Sequence, residues 1–144
     1  MYRAMRCDKL TYAILEGTLR SYYTASDIHS QNLTIALFSR KQEELEKLGK
    51  KILKKLPKNI VENYGIEIIT TDVEAGSGSL PACEIESMAL RFYPKNQKIS
   101  ELAYRFRTGK TPVVGYISGN RFFIDLKTIL PNQVALLIDV INQV

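Results

Sequence analysis

The sequence predicts an α+β fold in which a linking helix precedes a small antiparallel sheet covered by helices. Apolar residues recur at helical spacing in several segments, and two pairs of other segments alternate apolar and polar residues at every second position. A glycine-rich stretch joins one pair, and a tight turn joins the other. The resulting order is helix, helix, two strands, helix, two strands, helix, which is typical of a layered α+β domain.

The first predicted helix spans residues 9–23, with Asp8 as its N-cap. Much of its surface is apolar, so the helix needs to be covered. Its apolar residues are Leu10, Tyr12, Ile14, Leu15, Leu19 and Tyr22. A polar stretch from Thr24 to Asn32 follows and predicts a loop or hinge. We therefore expect residues 1–32 to form a linking helix and hinge, and residues 33–144 to form the small domain.

A second helix is predicted over residues 40–56, after a short apolar run from Leu33 to Phe38. Ser39 and Gln42 have the spacing of a capping box, and Pro57 ends the helix. Its buried stripe would comprise Leu45, Leu48, Ile52 and Leu56. The opposite face carries Lys47, Lys50, Lys51, Lys54 and Lys55, which favours a solvated surface over a dedicated RNA site.

The remaining elements follow from changes of hydrophobic period. Strands are predicted over residues 65–74 and 87–93, joined by the glycine loop, and a helix over residues 98–108. A β-hairpin comes next, with strands 113–117 and 121–126 and a turn at Ser118-Gly119-Asn120. Pro131 then begins a last helix over residues 132–143.

Two stretches look like phosphate-binding loops. RTGKTPVVG contains Gly-Lys-Thr, but a P-loop needs a glycine where Tyr104 stands, and a helix rather than a strand after the lysine. We expect Gly109 to end the preceding helix in the left-handed conformation. The loop from Gly76 to Pro81 has proline in place of the third glycine of a dinucleotide-binding motif. Neither stretch is expected to bind a nucleotide.

The composition is that of a folded domain with one core: 144 residues, of which 45% are hydrophobic. Because no apolar run approaches the roughly twenty residues of a membrane span and the start lacks a signal peptide, we expect no membrane association and a cytoplasmic location. The formal net charge of +5 permits a phosphate-rich partner but also suits an ordinary soluble surface.

No catalytic or metal-binding constellation is predicted. Cys7, Cys83 and His29 lack the spacing of a disulfide framework or a zinc site. Glu84 and Glu86 have no partner histidine and are expected to lie on the surface. From motifs alone the chain is an α+β domain without a predicted activity.

Three segments carry a resemblance to a known family. They are RAMRCDKLTYAILEGTLRSYY, AGSGSLPACEIES and RTGKTPVVGYISGNRFFIDLKTILP. In order and spacing they resemble the C-terminal third of bacterial selenocysteine synthases, the L-seryl-tRNA(Sec) selenium transferases. The chain departs from the family pattern at Ala75, where glycine is usual, at Thr111, where proline is usual, and at Tyr116, where arginine is usual. These departures bear on substrate contacts near the late hairpin.

The resemblance implies the C-terminal small domain of a fold-type I enzyme that depends on pyridoxal phosphate. Such an enzyme converts seryl-tRNA(Sec) to selenocysteinyl-tRNA(Sec) with selenophosphate and forms a large ring-like homo-oligomer. The family's cofactor lysine lies upstream of the matching segments, and Lys9 does not correspond to it. We therefore expect this chain to be a fragment that binds no cofactor by itself and is inactive alone.

The resemblance also implies a substrate-binding pair, Arg3 and Arg6. Their spacing would place both guanidiniums on one side of a helical turn, where they suit a tetrahedral anion such as selenophosphate. A solvent-exposed arginine pair is the alternative.

Two other functions stay open. One is a related pyridoxal-phosphate lyase or transferase acting on a small amino acid or amino sugar. The other is an RNA-binding or adaptor module without enzymatic activity.

Overall fold

The computed structural model describes residues 6–74 and 84–144. The chain divides into two compact units, Met1–Ser39 and Arg40–Val144. Within the described residues there are seven α-helices, one short 3₁₀ helix and a four-stranded antiparallel sheet. The predicted α+β class, with a small sheet covered by helices, is confirmed. Each helix in these ranges is too short or too polar to cross a bilayer.

The first unit contains three helices: α1 (Lys9–Thr24), α2 (Ile28–Gln31) and α3 (Leu33–Phe38). The N-cap prediction is confirmed, because an oxygen of Asp8 accepts a hydrogen bond from the Thr11 amide at 2.7 Å. The stretch predicted as a loop contains α2, which Asp27 caps through the amide of His29. Asn32 caps α3 in the same way. Successive side-chain caps thus support short helices where low hydrophobicity predicted a loop.

The second unit contains the other helices: α4 (Gln42–Lys55), α5 (Lys58–Tyr64), α6 (Ile99–Thr108), and α7 (Val134–Gln143) preceded by a 3₁₀ turn (Pro131–Gln133). The predicted capping box was wrong. Ser39 ends α3, with its hydroxyl donating to the Ile35 carbonyl, and Lys41 is the N-cap of α4 without a side-chain bond. Pro57 follows the end of α4 as expected, but it also caps α5, which was not predicted.

The sheet has the strand order β1-β2-β4-β3, with every neighbouring pair antiparallel. Its strands are β1 (Glu67–Val73), β2 (Ile85–Phe92), β3 (Tyr116–Ser118) and β4 (Arg121–Asp125). The predicted hairpin turn is confirmed: Gly119 and Asn120 both have positive φ, which favours a tight two-residue turn. Strand β3 is shorter than predicted because the Val113 amide donates to the Phe106 carbonyl of α6 instead of joining the sheet.

The core lies between one face of the sheet and the helices of the second unit. Leu90 and Phe92 of β2 and Phe122 and Ile124 of β4 point toward it, as the alternation in β2 predicted. Phe106 of α6 joins Phe92 and Phe122 in an aromatic cluster with ring centroids 5.2 to 5.9 Å apart. Each fully buried phenylalanine of this kind stabilises the fold by about 1.5–3 kcal/mol relative to exposure.

Candidate functional site

Of the two predicted anion-binding residues, only Arg6 can be placed. Its side chain is exposed and precedes the Asp8 cap, so it lies before the first turn of α1. Arg3 lies outside the described residues. The distance between the two guanidiniums is therefore not defined, and their joint role stays a prediction.

The Gly-Lys-Thr stretch follows α6 and leads to β3, in the predicted order of helix, glycine, strand. Lys110 and Thr111 are exposed. The expectation for Gly109 was wrong: its φ of −65° and ψ of 170° are extended, not left-handed. Its amide donates to the Arg105 carbonyl, and the chain then continues extended toward Val113. The glycine loop from Gly76 to Pro81 lies outside the described ranges.

The second face of the sheet, opposite the core, carries polar and aromatic side chains. One cross-strand row consists of Glu67, Arg91, Phe123 and Tyr116. Arg91 forms an ion pair with Glu67. The Tyr116 ring stacks on Phe123 with centroids 5.0 Å apart and planes 11° from parallel, and its hydroxyl lies 3.1 Å from the Thr71 hydroxyl. Tyr116 thus spans the face from β3 toward β1 and shields Phe123.

Tyr116 stands where the resembled family usually has arginine. Its hydroxyl and that of Thr71 form a neutral pair that can donate and accept hydrogen bonds. The nearby Arg91 is already paired with Glu67. This part of the face is therefore suited to hydrogen bonding rather than to clamping an anion with a free guanidinium.

A buried polar network lies where β4 ends. One oxygen of Asp125 accepts hydrogen bonds from the Ser87 hydroxyl at 3.0 Å and from the Lys127 amide at 2.8 Å. Its other oxygen is buried and, among the described residues, has no hydrogen-bond partner. The Lys127 ammonium donates to the Arg40 carbonyl at 3.0 Å. Burial lowers the pKa of Lys127, and the Asp125 charge opposes that shift.

Arg40 completes this network from the chain segment that enters α4. Its Nη1 lies 2.9 to 3.1 Å from the carbonyl oxygens of Leu126, Lys127 and Ile129, and its Nε lies 3.1 Å from Glu44. The guanidinium therefore ties the start of α4 to the segment that leaves β4. The sequence analysis missed this role, and the only signal was the charged pair Asp125 and Lys127 on either side of a buried leucine.

The other candidate residues lie apart. His29 and Cys7 are exposed in the first unit, and Glu84 and Glu86 are exposed, as predicted for surface carboxylates. Over residues 6–74 and 84–144, histidine, cysteine and carboxylate side chains form no group that could hold a metal ion. The fold and its second face define an α+β domain with a hydrogen-bonding surface and a buried polar brace.

Comparison with known proteins shows the family. Residues 1–130 match the family described as L-seryl-tRNA selenium transferase, and the chain belongs to that family. A relative from Desulfotalea psychrophila, named L-seryl-tRNA(Sec) selenium transferase, is 32% identical over 137 residues, which are 95% of this chain and 29% of that protein.

Relatives of the same name show the same partial coverage. The protein from Escherichia fergusonii is 34% identical over 87% of this chain, and that from Photorhabdus laumondii is 35% identical over 94%. The matched parts are 28% and 30% of those two proteins. The chain therefore spans less than a third of the length of these relatives, and it matches them as one part of a longer protein.

Proposed function

We propose that this chain is the C-terminal small domain of a cytoplasmic, pyridoxal-phosphate-dependent L-seryl-tRNA(Sec) selenium transferase. The complete enzyme would convert seryl-tRNA(Sec) to selenocysteinyl-tRNA(Sec) with selenophosphate as the selenium donor. The observation that carries this proposal is the family match over residues 1–130, which spans the three motif segments in their family order. The relatives' names supply the aminoacyl-tRNA substrate.

The test is a direct assay of the enzyme that carries this chain. With seryl-tRNA(Sec), selenophosphate and pyridoxal phosphate, we expect selenocysteinyl-tRNA(Sec), and a variant truncated before residue 40 should form none. Turnover of a free amino acid or amino sugar, with seryl-tRNA(Sec) untouched, would instead favour the related lyase or transferase. Binding of RNA without any turnover would favour the adaptor module.

Pyridoxal phosphate would supply an electron sink for the reaction. The described residues do not fit a site for it, because a covalent site needs an accessible lysine inside a pocket. Lys9 is exposed in the first turn of α1, and Lys127, the buried lysine of the described part, donates to a backbone carbonyl within the polar network. We therefore assign the cofactor to the rest of the enzyme.

This assignment has its own test. The isolated chain mixed with pyridoxal phosphate should show no stoichiometric aldimine absorbance and, after borohydride reduction, no single labelled lysine in peptide mapping. Labelling of one lysine at full occupancy would contradict the assignment, whereas faint labelling spread over the exposed lysines is the expected background.

Arg3 and Arg6 are proposed to bind the phosphate-bearing selenium donor in the complete enzyme. Loss of one charge-assisted hydrogen bond costs about 1.5–3 kcal/mol, so Arg→Ala at either position should lower kcat/KM for the donor roughly 10- to 100-fold. Arg20→Ala is the matched control, because Arg20 is exposed and paired with Glu16 on α1. Unchanged donor kinetics in the Arg3, Arg6 and double variants would refute the role.

The apolar side chains of α1 support a proposal of self-association. Leu10, Ile14, Leu15 and Leu19 are each between 51% and 68% exposed, and no residue of α1 is buried. Such an apolar surface on a soluble protein is normally covered by a partner. We expect the isolated chain to form a dimer or larger species, and the complete enzyme a homo-oligomer.

Sedimentation over a range of protein concentrations tests the association. Replacing Leu15 and Leu19 by glutamate should shift the chain toward monomer, while Glu16→Gln on the same helix should not. A monomer at high concentration for the unaltered chain would contradict the proposal.

A further inference from the structure

A cleft of about 930 Å³ lies in the second unit, away from the second face and the polar network. One wall is formed by residues 93–98, which connect β2 to α6, and the other by Ile117 and Asn120 at the tip of the β3–β4 hairpin. The connection is held in place because the amides of Tyr93 and Lys95 donate to carbonyls at the end of α5, at 2.8 and 3.2 Å. The cleft therefore has walls fixed by backbone hydrogen bonds.

The charge of the cleft is positive. Lys95 and Lys98 line it and are both exposed, and the described lining residues include no carboxylate. The floor includes Ile99 and Ser100, the first residues of α6. Lys98 caps this helix without a side-chain hydrogen bond, so the first-turn amides receive no acceptor from the cap. Two ammonium groups and an uncapped helix start together favour a phosphate group.

The remaining lining groups suit a base rather than a simple anion. Tyr93 is 55% exposed, and the guanidinium of Arg121 lies 5.7 Å from its ring centroid, so the ring is an oriented platform. Gln97 accepts from Arg105 through Oε1 at 3.4 Å, which assigns its Nε2 as a donor. That Nε2 is shielded from solvent and has no hydrogen-bond partner among the described residues. Asn120 adds a second amide at the opposite wall.

We propose that this cleft binds single-stranded RNA, with Lys95 and Lys98 on the phosphates, a base stacked on Tyr93, and the amides of Gln97 and Asn120 at the base edge. Backbone cations combined with an aromatic platform are the usual means of binding unpaired nucleic acid. An acidic protein segment would satisfy the lysines but would leave the exposed ring and the two amides without a function. RNA therefore accounts for more of the cleft.

The identity of this RNA as the tRNA substrate rests on the proposed function, whereas binding itself is testable on the isolated chain. The probe is a fluorescein-labelled single-stranded oligouridine, measured by anisotropy at several salt concentrations. We expect saturable binding that weakens roughly tenfold in Tyr93→Ala and is retained in Tyr93→Phe. In the double variant Lys95→Gln/Lys98→Gln, the salt dependence of log Kd should fall by about 1.4, or about 0.7 for each phosphate contact.

The matched control changes the same charge on a different element. Lys50→Gln/Lys54→Gln lies on the lysine face of α4, where Lys50 is paired with Glu46 at 2.6 Å. It should leave both the affinity and the salt slope close to those of the unaltered chain. Circular dichroism confirms that each variant is folded before its binding is interpreted.

Several results would overturn the proposal. They are absence of saturable oligouridine binding, equal losses in the α4 control and the cleft variant, unaltered affinity in Tyr93→Ala, and competition by polyglutamate as effective as that by unlabelled oligouridine. The last result would indicate an acidic protein partner instead.

The proposed function can fail separately. If the enzyme does not use seryl-tRNA(Sec) while the chain binds oligouridine through the cleft, the activity is wrong and the RNA site stands. If the enzyme makes selenocysteinyl-tRNA(Sec) and the cleft variants leave its KM for seryl-tRNA(Sec) unchanged, the activity stands and the cleft is not the substrate contact.

Discussion

Gly65 and Gly119 allow a comparison of two identical substitutions in different surroundings. Both glycines have a φ of 53°, in the left-handed region. A Cβ on Gly119 would meet nothing within 4 Å, whereas a Cβ on Gly65 would lie 2.8 Å from the Tyr93 carbonyl oxygen. Alanine at either position carries the same backbone strain, but only Gly65→Ala adds a collision with the main chain.

The expected losses of unfolding free energy follow from these two contributions. Left-handed alanine costs roughly 1–2 kcal/mol, and the lower entropy of the unfolded chain offsets about 0.4–1 kcal/mol of that. Gly119→Ala should therefore cost about 1 kcal/mol or less. Gly65→Ala should cost about 1–3 kcal/mol more, the range for overpacking, because the Tyr93 amide is held to the Tyr64 carbonyl at 2.8 Å and cannot move freely.

Urea unfolding followed by circular dichroism, at one fixed protein concentration, measures both losses. Asparagine at the same positions is the control, since it tolerates the left-handed region but keeps the Cβ. Gly119→Asn should be nearly neutral and Gly65→Asn should remain costly. Equal losses at the two positions, within about 0.5 kcal/mol, would refute the steric argument.

Three further predictions concern single side chains. Arg40→Ala should lower the unfolding free energy by about 2–3 kcal/mol through loss of its carbonyl hydrogen bonds, and Arg40→Lys should recover less than half in urea unfolding, because an ammonium cannot replace the fork. Phe106→Ala should cost about 3–5 kcal/mol and the exposed Tyr104→Ala under about 0.5 kcal/mol, and similar losses would contradict the assigned core. The hydrogen bond from the Thr11 amide lowers the pKa of Asp8, so the cap stabilises α1 above the unfolded pKa and is lost as pH falls through the folded one. Acid titration of the Thr11 amide by NMR should follow this change, whereas Asp8→Asn should abolish it; an identical titration in that variant would exclude the cap as its cause.

Much of the second unit could be predicted because its elements carry strong local signals. The alternation in β2, the apolar spacing in α6 and the Gly119-Asn120 turn are each set by side-chain periodicity or by backbone sterics within a few residues. The errors lie where two local signals compete. Ser39 could cap a following helix or end a preceding one, and only the presence of α3 decides between them.

The candidate site divides in the same way. The motif segments alone predicted the family, and the false phosphate motif could be rejected because the order of helix, glycine and strand is a local property. The sequence also determined which residues of α4 form its buried stripe, since helical spacing places them on one side.

Only the tertiary structure decided which distant side chains meet. Arg40 binds carbonyls more than eighty residues away, and Tyr116 reaches Thr71 across the second face of the sheet. Gly49 is buried so closely against Ile68 and Leu126 that a Cβ there would lie 2.9 to 3.1 Å from their side chains. The cleft likewise exists because a loop after β2 and the tip of a later hairpin lie side by side. Local sequence specifies each element, but these contacts depend on strand order and helix packing, which no short stretch of the chain encodes.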